Sequence, residues 1–363
     1  MRYLLSLAIL LSSAAAASAQ DVIKFKDGSP DKEGEVTALN YKSVEYDIIA
    51  GNRIKQQEDA KKVAEIVVDR NQTTFDYTRG ASAMEGSDYD GAVEHFGRVT
   101  KDVRARELLK QMAAINIVRC QWMKDNIPGC LQAIRELRGL KADSFYLKES
   151  YEYEIRANLA KGDVAAATAA VAGLEEKGKS DNLPEWAKSA DVMRGGLQEL
   201  QNKWREALAI HRKYVNDKDV GDEAKLGELR CLVQLKDWPG LTARSEGILG
   251  ELKGKKNANE RLYTAAFNGR GEVQLNGGKL KEALLDFMQG VTVLNKSGGS
   301  SQENETATAR AAYTCTRIAL KETDKSKKDT YKRRAQELEG DLRRHYGNSK
   351  YAAELAKAIA EVK

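Results

Sequence analysis

One arrangement of polar, small and bulky positions returns along the chain and predicts helical hairpins. A polar turn residue precedes an apolar residue, then Ala three positions on and a bulky residue four beyond. The copies are Asp88-Tyr89-x-x-Ala92-x-x-x-Phe96, Asp163-Val164-x-x-Ala167-x-x-x-Val171, Lys203-Trp204-x-x-Ala207-x-x-x-His211 and Lys279-Leu280-x-x-Ala283-x-x-x-Phe287. With Cys130 as the small residue of another copy, the small positions are 38, 37, 40 and 76 residues apart. This spacing is that of repeated helical hairpins, the last step being about two periods.

Helix packing gives the physical reason for the phrase. The second helix of a hairpin needs a small side chain where its backbone approaches the first helix, and a large one a turn later. Twelve positions before the Ala, three copies carry Gly: Gly80, Gly195 and Gly271. Because Gly costs a helix roughly 1 kcal/mol relative to Ala, its return at one offset indicates close helix contact.

These residues resemble the tetratricopeptide repeat family from about Phe75 to the C-terminus. The resemblance implies a mainly α fold, a solenoid of roughly six to seven hairpins curving into a right-handed superhelix. The copy at Asp237-Trp238-Pro239-Gly240-Leu241 departs from the pattern, with Leu where Ala is expected. The proline that often closes a unit is mostly missing. A non-repetitive helical domain is the alternative.

The resemblance also implies a function, which is to bind a protein or peptide in a concave groove formed by the first helices. One subset of the family clamps carboxylates with particular Lys, Asn and Arg side chains, but that set is not matched here and no clamp residue is assigned. Two other classes stay open: an enzyme acting on cell-wall glycan, and a self-assembling component of the cell envelope. The oligomeric state is not predicted.

The first nineteen residues have the features of a secretory signal peptide. Arg2 precedes a mostly apolar run, Tyr3 to Leu11, and the segment ends in Ala17-Ser18-Ala19, an A-x-A cleavage pattern. Cleavage after Ala19 is predicted, and no later stretch reaches the roughly 20 apolar residues of a membrane span. A periplasmic or secreted protein is therefore expected. In a eukaryotic host, the tripeptides starting at Asn71 and Asn304 would be glycan acceptors.

The segment from Asp21 to about Arg70 predicts strands rather than helices. Its short apolar runs are Val22-Ile23-Lys24-Phe25, Val36-Thr37-Ala38-Leu39, Val44-Glu45-Tyr46-Asp47-Ile48, Ile54 and Ile66-Val67-Val68. Four or five strands indicate a small closed or half-closed sheet, and the opening residues resemble SH3-like or Sm-like barrels. The predicted parts are a signal peptide over 1–19, this module over 20–70 and a helical repeat domain over 75–363. The module is expected to cap the helices, with a separate binding role as the alternative.

Candidate catalytic chemistry is sparse. The chain has three histidines: His211 is predicted as a packing residue because it occupies the bulky position, His95 is predicted to be exposed, and His345 has no assigned role. The motifs H-E-x-x-H, G-x-S-x-G and G-x-x-x-x-G-K-[ST] do not occur. Gly277-Gly278 is predicted as a turn inside a hairpin. No catalytic residue, cofactor-binding residue or metal ligand is assigned, and the chain is predicted not to be an enzyme.

The four cysteines are Cys120, Cys130, Cys231 and Cys315. None forms a C-x-x-C motif, which argues against a redox or zinc motif. Cys120 and Cys130 are predicted on the two helices of one hairpin. Two interpretations of them stay open: a disulfide, or small buried hydrophobic residues.

Net charge, the basic run and the C-terminal residues give weaker indications of function than the repeats do. A formal net charge of +5 in a chain with 54 acidic residues is too small to indicate a nucleic-acid partner. The basic run Lys325–Lys328 and the basic residues that follow it have acidic neighbours. This pattern predicts a solvated helix face. Ser349 is predicted to cap a last helix over 350–362.

Overall fold

The computed structural model describes residues 20–50, 52–255, 259–294, 302–347 and 349–362. This part of the chain begins with an antiparallel sheet and continues as fifteen α-helices, so the predicted mainly α fold behind a small β-rich module is confirmed. The predicted signal peptide lies outside the described residues. Among the described helices, none combines the length and the apolar character needed to cross a membrane.

Five strands form the N-terminal sheet in the order β4-β3-β2-β1-β5. Their bounds are β1 Asp21–Phe25, β2 Lys32–Leu39, β3 Ser43–Ala50, β4 Asn52–Asp59 and β5 Val63–Val67. Ile23, Val44 and Tyr46 are almost fully buried on one face, as the two-residue period of a strand requires. The predicted four or five strands are confirmed, whereas the likeness to SH3-like or Sm-like barrels stays a prediction.

The helices form seven consecutive pairs and a final single helix. Their bounds are α1 Phe75–Glu85, α2 Tyr89–Lys101, α3 Glu107–Met123, α4 Ile127–Leu140, α5 Leu147–Ala160, α6 Val164–Ser180, α7 Pro184–Leu200, α8 Trp204–Tyr214, α9 Gly221–Leu235, α10 Trp238–Leu252, α11 Glu260–Asn276, α12 Leu280–Leu294, α13 Gln302–Lys321, α14 Lys325–His345 and α15 Ala352–Ala360. The odd-numbered helices α1 to α13 are the first helices of the pairs, and the even-numbered helices are the second helices.

The turns inside the first six pairs share one geometry. A residue with positive φ ends each turn: Ser87, Asp125, Gly162, Asn202, Lys236 and Gly278. The next residue precedes the second helix, and in four pairs its side chain accepts a hydrogen bond from the backbone N–H three residues on. These caps are Asp88, Asn126, Asp163 and Asp237, at 2.9–3.2 Å. The predicted turn at Gly277-Gly278 is confirmed.

The small and bulky positions of the repeated phrase pack as predicted. Five small residues have no exposed surface: Ala92, Cys130, Ala167, Ala207 and Ala283. A Cβ added to any of the three predicted glycines would lie 2.7–2.8 Å from the ring of the bulky residue. The close pairs are Gly80 with Phe96, Gly195 with His211 and Gly271 with Phe287. A Cβ essentially never comes this near, so these glycines are required by close helix contact.

The pair α9–α10 explains the departure at Leu241. Leu241 is fully buried at the small position, and Ser245 is fully buried at the bulky position. Gly269 on α11 faces both, since a Cβ there would lie 2.5 Å from Ser245 Oγ and 3.0 Å from a Leu241 methyl. The large and small residues have exchanged places, and the neighbouring helix accommodates the exchange with Gly.

The last helix differs from the prediction. It runs from Ala352 to Ala360 rather than over 350–362, and its N-cap is Tyr351, whose side chain makes no capping hydrogen bond. Ser349 Oγ instead accepts from the backbone N–H of Tyr351 at 3.2 Å. Ser349 therefore closes a turn before the helix, because a Ser hydroxyl satisfies a turn as readily as a cap.

The described part of the chain divides into two compact units, one up to Ala170 (unit 1) and one from Val171 onward (unit 2), with the boundary inside α6. In unit 1 the sheet and helices α1 to α3 share one apolar core. Its fully buried members include Ile23 from β1, Tyr46 from β3, Phe96 from α2 and Leu109 from α3. The predicted limits 20–70 and 75–363 stay predictions.

An ion pair with a fully buried carboxylate joins the sheet to Arg106, the residue that precedes α3. Asp21 has no exposed surface, and its carboxylate accepts from Arg106 Nη2 at 2.5 Å and from the backbone N–H of Val36 at 2.9 Å. Arg106 also donates to the carbonyl of Val36 at 3.0 Å. Because a buried carboxylate without partners costs several kcal/mol, the sheet and α3 stabilise each other.

All four cysteines are buried free thiols. Cys120 lies on α3 and Cys130 on α4, the two helices of one pair, but they pack into different apolar clusters and form no disulfide. The disulfide interpretation is wrong for this structure, and the buried hydrophobic one holds. Burial raises the pKa of both thiols to about 11.

Candidate functional site

The first helices of unit 1 carry a polar and aromatic group of side chains centred on Arg119. We call Tyr77, Asn116, Arg119, Glu149 and Tyr153 the Arg119 cluster. Arg119 Nε and Nη2 each donate to a carboxylate oxygen of Glu149 at 2.8 Å, and Nη1 donates to Asn116 Oδ1 at 2.9 Å. The Arg119 and Glu149 side chains are 35% and 28% exposed. A bidentate pair fixes the guanidinium plane, so this surface is ordered before any ligand arrives.

Aromatic rings frame the Arg119 cluster. Trp122 on α3 meets Tyr153 on α5 edge to face, with ring centroids 6.1 Å apart. The guanidinium of Arg119 lies 5.9 Å from the Tyr146 ring centroid. Burial raises the pKa of Tyr77 to about 12, so its hydroxyl stays protonated at neutral pH. Half-buried aromatic and Arg side chains are the types that carry most of the energy in protein interfaces.

The first helices of unit 2 carry a series of ion pairs, which we call the charge ladder. Each guanidinium bonds a carboxylate on a neighbouring first helix, and the carboxylates of α13 and α11 are almost fully buried. The pairs are Arg230 with Glu199, Arg261 with Glu303 and Glu223, and Arg310 with Glu272 and Glu354. The charge ladder therefore links adjacent helix pairs, and its guanidinium groups are paired with carboxylates of the same ladder.

The carboxylates of the ladder differ in their environments. Burial raises the pKa of Glu272 above its ordinary value although Arg310 opposes this. Burial acts in the same direction on Glu199, but hydrogen bonds from His211 and Arg230 hold its pKa below the ordinary value. Glu199 is therefore a buried, ionised carboxylate at neutral pH, and its partners are what keep it so.

The structure confirms the prediction made for His211 but not the one made for His95. His211 is 1% exposed at the bulky position of α8, as predicted. His95 is half-buried, with Nδ1 2.8 Å from Asp76 Oδ1, so the prediction that it is exposed is wrong. The contact with the Asp76 carboxylate on α1 holds the His95 ring against the protein surface. His345 is exposed at the end of α14.

Sequence reasoning also missed the polar group that we call the Glu199 cluster, formed by Glu199, His211, Arg230 and Cys231. His211 Nε2 lies 2.7 Å from Glu199 Oε1, and Arg230 Nε donates to Glu199 Oε2 at 2.7 Å. Donor atoms of Glu199, His211 and Cys231 all lie within 4.8 Å of one another. These residues come from α7, α8 and α9, so only packing brings them together.

The basic run near the C-terminus forms a solvated helix face, as predicted. Lys325 and Lys327 are exposed on α14, and Arg333 and Arg334 both lie near Glu337, at 4.0 and 3.0 Å. Such i,i+3 and i,i+4 pairs at the surface contribute a few tenths of a kcal/mol each. This face needs no ligand to account for its charge.

Comparison with known proteins shows the class of fold. No protein-family model and no curated protein matches the sequence. A tetratricopeptide repeat protein from Parabacteroides merdae is similar in structure, with 15% identity, a TM-score of 0.50, and coverage of 79% of this chain and 100% of that one. PilF from Pseudomonas aeruginosa has 12% identity, a TM-score of 0.42, and coverage of 68% and 96%. The C-terminal part of a repeat protein from Cytophaga hutchinsonii has 11% identity, a TM-score of 0.37, and coverage of 77% and 98%.

The fold is therefore tetratricopeptide-like, an array of helical pairs with the small and bulky positions described above. Similarity at 15% identity shows this fold and nothing about ligand or compartment.

Proposed function

We propose that this chain is an exported, non-enzymatic scaffold that binds a protein or peptide partner along its first helices. The observation that carries the proposal is the Arg119 cluster: an ordered, half-exposed arrangement of Arg, Glu, Asn and aromatic side chains on consecutive first helices. Helical repeats place such residues on a shared face that an extended or helical peptide can follow.

Export is supported by the sequence of residues 1–19, with its charged start, apolar run and A-x-A pattern. In this proposal the sheet caps the helical array, because its core is continuous with that of α1 to α3. Terminal repeats need such a cover for their apolar side. Sequencing the N-terminus of protein recovered outside the cytoplasm tests the export step, and a chain starting at Gln20 is expected.

Site-specific photo-crosslinking tests the binding face. A photoreactive residue replaces Tyr153 in the full chain, and a second version carries it at Val103, which is 90% exposed in the loop between α2 and α3. We expect a discrete partner to be captured from an envelope extract at position 153 but not at 103. Adding Arg119→Ala should remove that capture, because Arg119 orders the cluster.

Two results would count against the proposed binding face. Equal capture from both positions would mean non-specific contact. Capture at position 153 that is unaffected by Arg119→Ala would place recognition outside the Arg119 cluster. Thermal melting of each variant, compared with the parent, shows whether unit 1 is still folded.

A further inference from the structure

The helix pair α7–α8 departs from the other pairs at two repeat positions at once. Four residues after the close-contact position of the first helix, the chain carries Met84, Trp122, Leu159, Glu199, Val233 and Leu275. At the bulky position of the second helix it carries Phe96, Ile134, Val171, His211, Ser245 and Phe287. Among these six pairs, α7–α8 alone has ionisable side chains at both positions. The two exceptions contact each other, with His211 Nε2 2.7 Å from Glu199 Oε1.

The imidazole of His211 is held in a narrow slot. Gly195 on α7 and Gly227 on α9 lie on either side of the ring. A Cβ on Gly195 would lie 2.7 Å from the ring, and a Cβ on Gly227 would lie closer to it still. His211 Nδ1 has no hydrogen-bond partner among the described residues. A buried ring with an unused nitrogen is costly unless something else binds it.

Cys231 completes a set of three different donors. Its thiol is fully buried on α9, and its Sγ, an imidazole nitrogen of His211 and a carboxylate oxygen of Glu199 lie within 4.8 Å of one another. Donor atoms around a tetrahedral zinc ion lie roughly 3–4 Å apart, given bond lengths of about 2.0–2.3 Å. Separations of up to 4.8 Å among these donors thus have to shorten by about 1 Å. His211 Nε2 and Glu199 Oε1, now 2.7 Å apart, have to lengthen their separation by up to about 1 Å if both bind one ion.

From these observations we propose that Glu199, His211 and Cys231 bind a divalent transition-metal ion of the Zn²⁺ type within unit 2. A solvent molecule supplies the fourth ligand. On binding, the thiol of Cys231 loses its proton to solvent and the thiolate gives an electron pair to the metal, while His211 binds as the neutral imidazole. No electron is transferred, and the site is structural rather than catalytic.

Arg230 fits this arrangement as a second-sphere group. It donates to both oxygens of Glu199, at 2.7 and 3.0 Å, and its Nη1 also lies 3.8 Å from Glu303 Oε1. A carboxylate that ligates a metal is commonly held by such a donor. Because Glu303 is within reach, Arg230 keeps a counter-charge when Glu199 turns toward the ion.

Cobalt(II) titration of the reduced, metal-stripped full chain, without a histidine tag, tests the proposal. We expect one equivalent of Co²⁺ to produce a near-ultraviolet thiolate-to-cobalt charge-transfer band, and Zn²⁺ to displace it. Cys231→Ala should abolish the band. Cys120→Ala is the matched control, because Cys120 is a buried thiol two residues after the close-contact position of α3, as Cys231 is on α9.

A second variant separates metal binding from folding. His211→Phe places in the slot the residue that α2 and α12 already carry there, so the fold should be kept, as judged by thermal melting. Its Co²⁺ affinity should fall by more than the roughly 10–100-fold that loss of a second-sphere partner causes. A wild-type chain without the band, or a band that survives Cys231→Ala, would overturn the proposal and leave Glu199, His211 and Arg230 as a structural hydrogen-bond network.

Discussion

The pairs α7–α8 and α11–α12 share one backbone arrangement and fill it with opposite chemistry. In α11–α12, Gly271 faces the ring of Phe287, a fully buried hydrocarbon. In α7–α8, Gly195 faces the ring of His211, which is equally buried but bonded to an ionised carboxylate. The fold requires a flat ring beside Gly and does not dictate whether that ring is polar.

The difference shows how a repeat protein can change its chemistry without changing its fold. An apolar ring is stabilised by burial alone, whereas the imidazole needs Glu199, and Glu199 in turn needs Arg230. Polar substitution at one repeat position therefore requires matching substitutions on the neighbouring helices. Experiments on the two pairs can measure this dependence directly.

Removing the apolar ring should have the largest effect. Phe287→Ala leaves a cavity in a fully packed layer, and we expect a loss of about 3–5 kcal/mol in stability. Leu285→Ala on the same helix is the control: its side chain is 66% exposed, and its effect should stay within about 0.5 kcal/mol. Thermal and denaturant unfolding of the full chain measure both. Equal effects would show that Phe287 is not a core residue.

Replacing Glu199 and His211 together by apolar residues should reveal energetic coupling between the two positions. Glu199→Leu and His211→Phe, made singly, each leave a partner of the network unsatisfied and should cost about 1–3 kcal/mol. The double variant restores the apolar pattern of the other pairs, and such replacements are often neutral or stabilising. A double-mutant cycle in metal-free buffer should give a coupling of at least about 1 kcal/mol. Additive effects would mean that the two residues act independently.

Two adjacent glycines offer a matched test of the slot. Gly195→Ala forces the new Cβ to 2.7 Å from His211 and should destabilise by about 1–3 kcal/mol. Gly196→Ala meets no atom within 4 Å and should stabilise by up to about 1 kcal/mol through helix propensity. Opposite signs in thermal melting are the expected outcome, and two changes of the same sign would contradict the close contact.

The caps of the second helices should give the smallest effect. Asp237 caps α10 with a side-chain hydrogen bond to Gly240 N at 3.0 Å, whereas Lys203, at the same position before α8, makes none. Asp237→Ala should cost about 1 kcal/mol, and Lys203→Asp should gain a similar amount. Helix content and melting temperature check both changes. A neutral Lys203→Asp would show that the two turns differ in geometry.

The helical pairs could be predicted because close helix contact constrains residue size at fixed offsets. Ala92 and Phe96 carry that constraint in a form visible along the chain, as do Ala283 and Phe287. The exchange of Leu241 and Ser245 could not be predicted, because it conserves the packed volume while breaking the pattern. Gly269, on the next helix, is what accommodates it.

The candidate sites were much harder to predict. Arg261 and Glu303 are 42 residues apart, and their bond depends on how two first helices align. The same holds for Glu199, His211 and Cys231, whose spacing matches no metal motif. Polar residues at normally apolar repeat positions were the available signal. The Cys120–Cys130 disulfide failed for a related reason: placing residues on two helices of one pair does not determine the distance between their side chains.

The buried pair of Asp21 and Arg106 has a consequence for how the chain acquires its structure as it is made. The two residues are 85 positions apart, and β1 lies in the sheet between β2 and β5. β1 is therefore synthesised well before Arg106, the residue whose guanidinium pairs with the carboxylate of Asp21. The ion pair can form only after Arg106 has been synthesised, so we expect a chain shortened before Arg106 to leave the buried carboxylate of Asp21 without its cation.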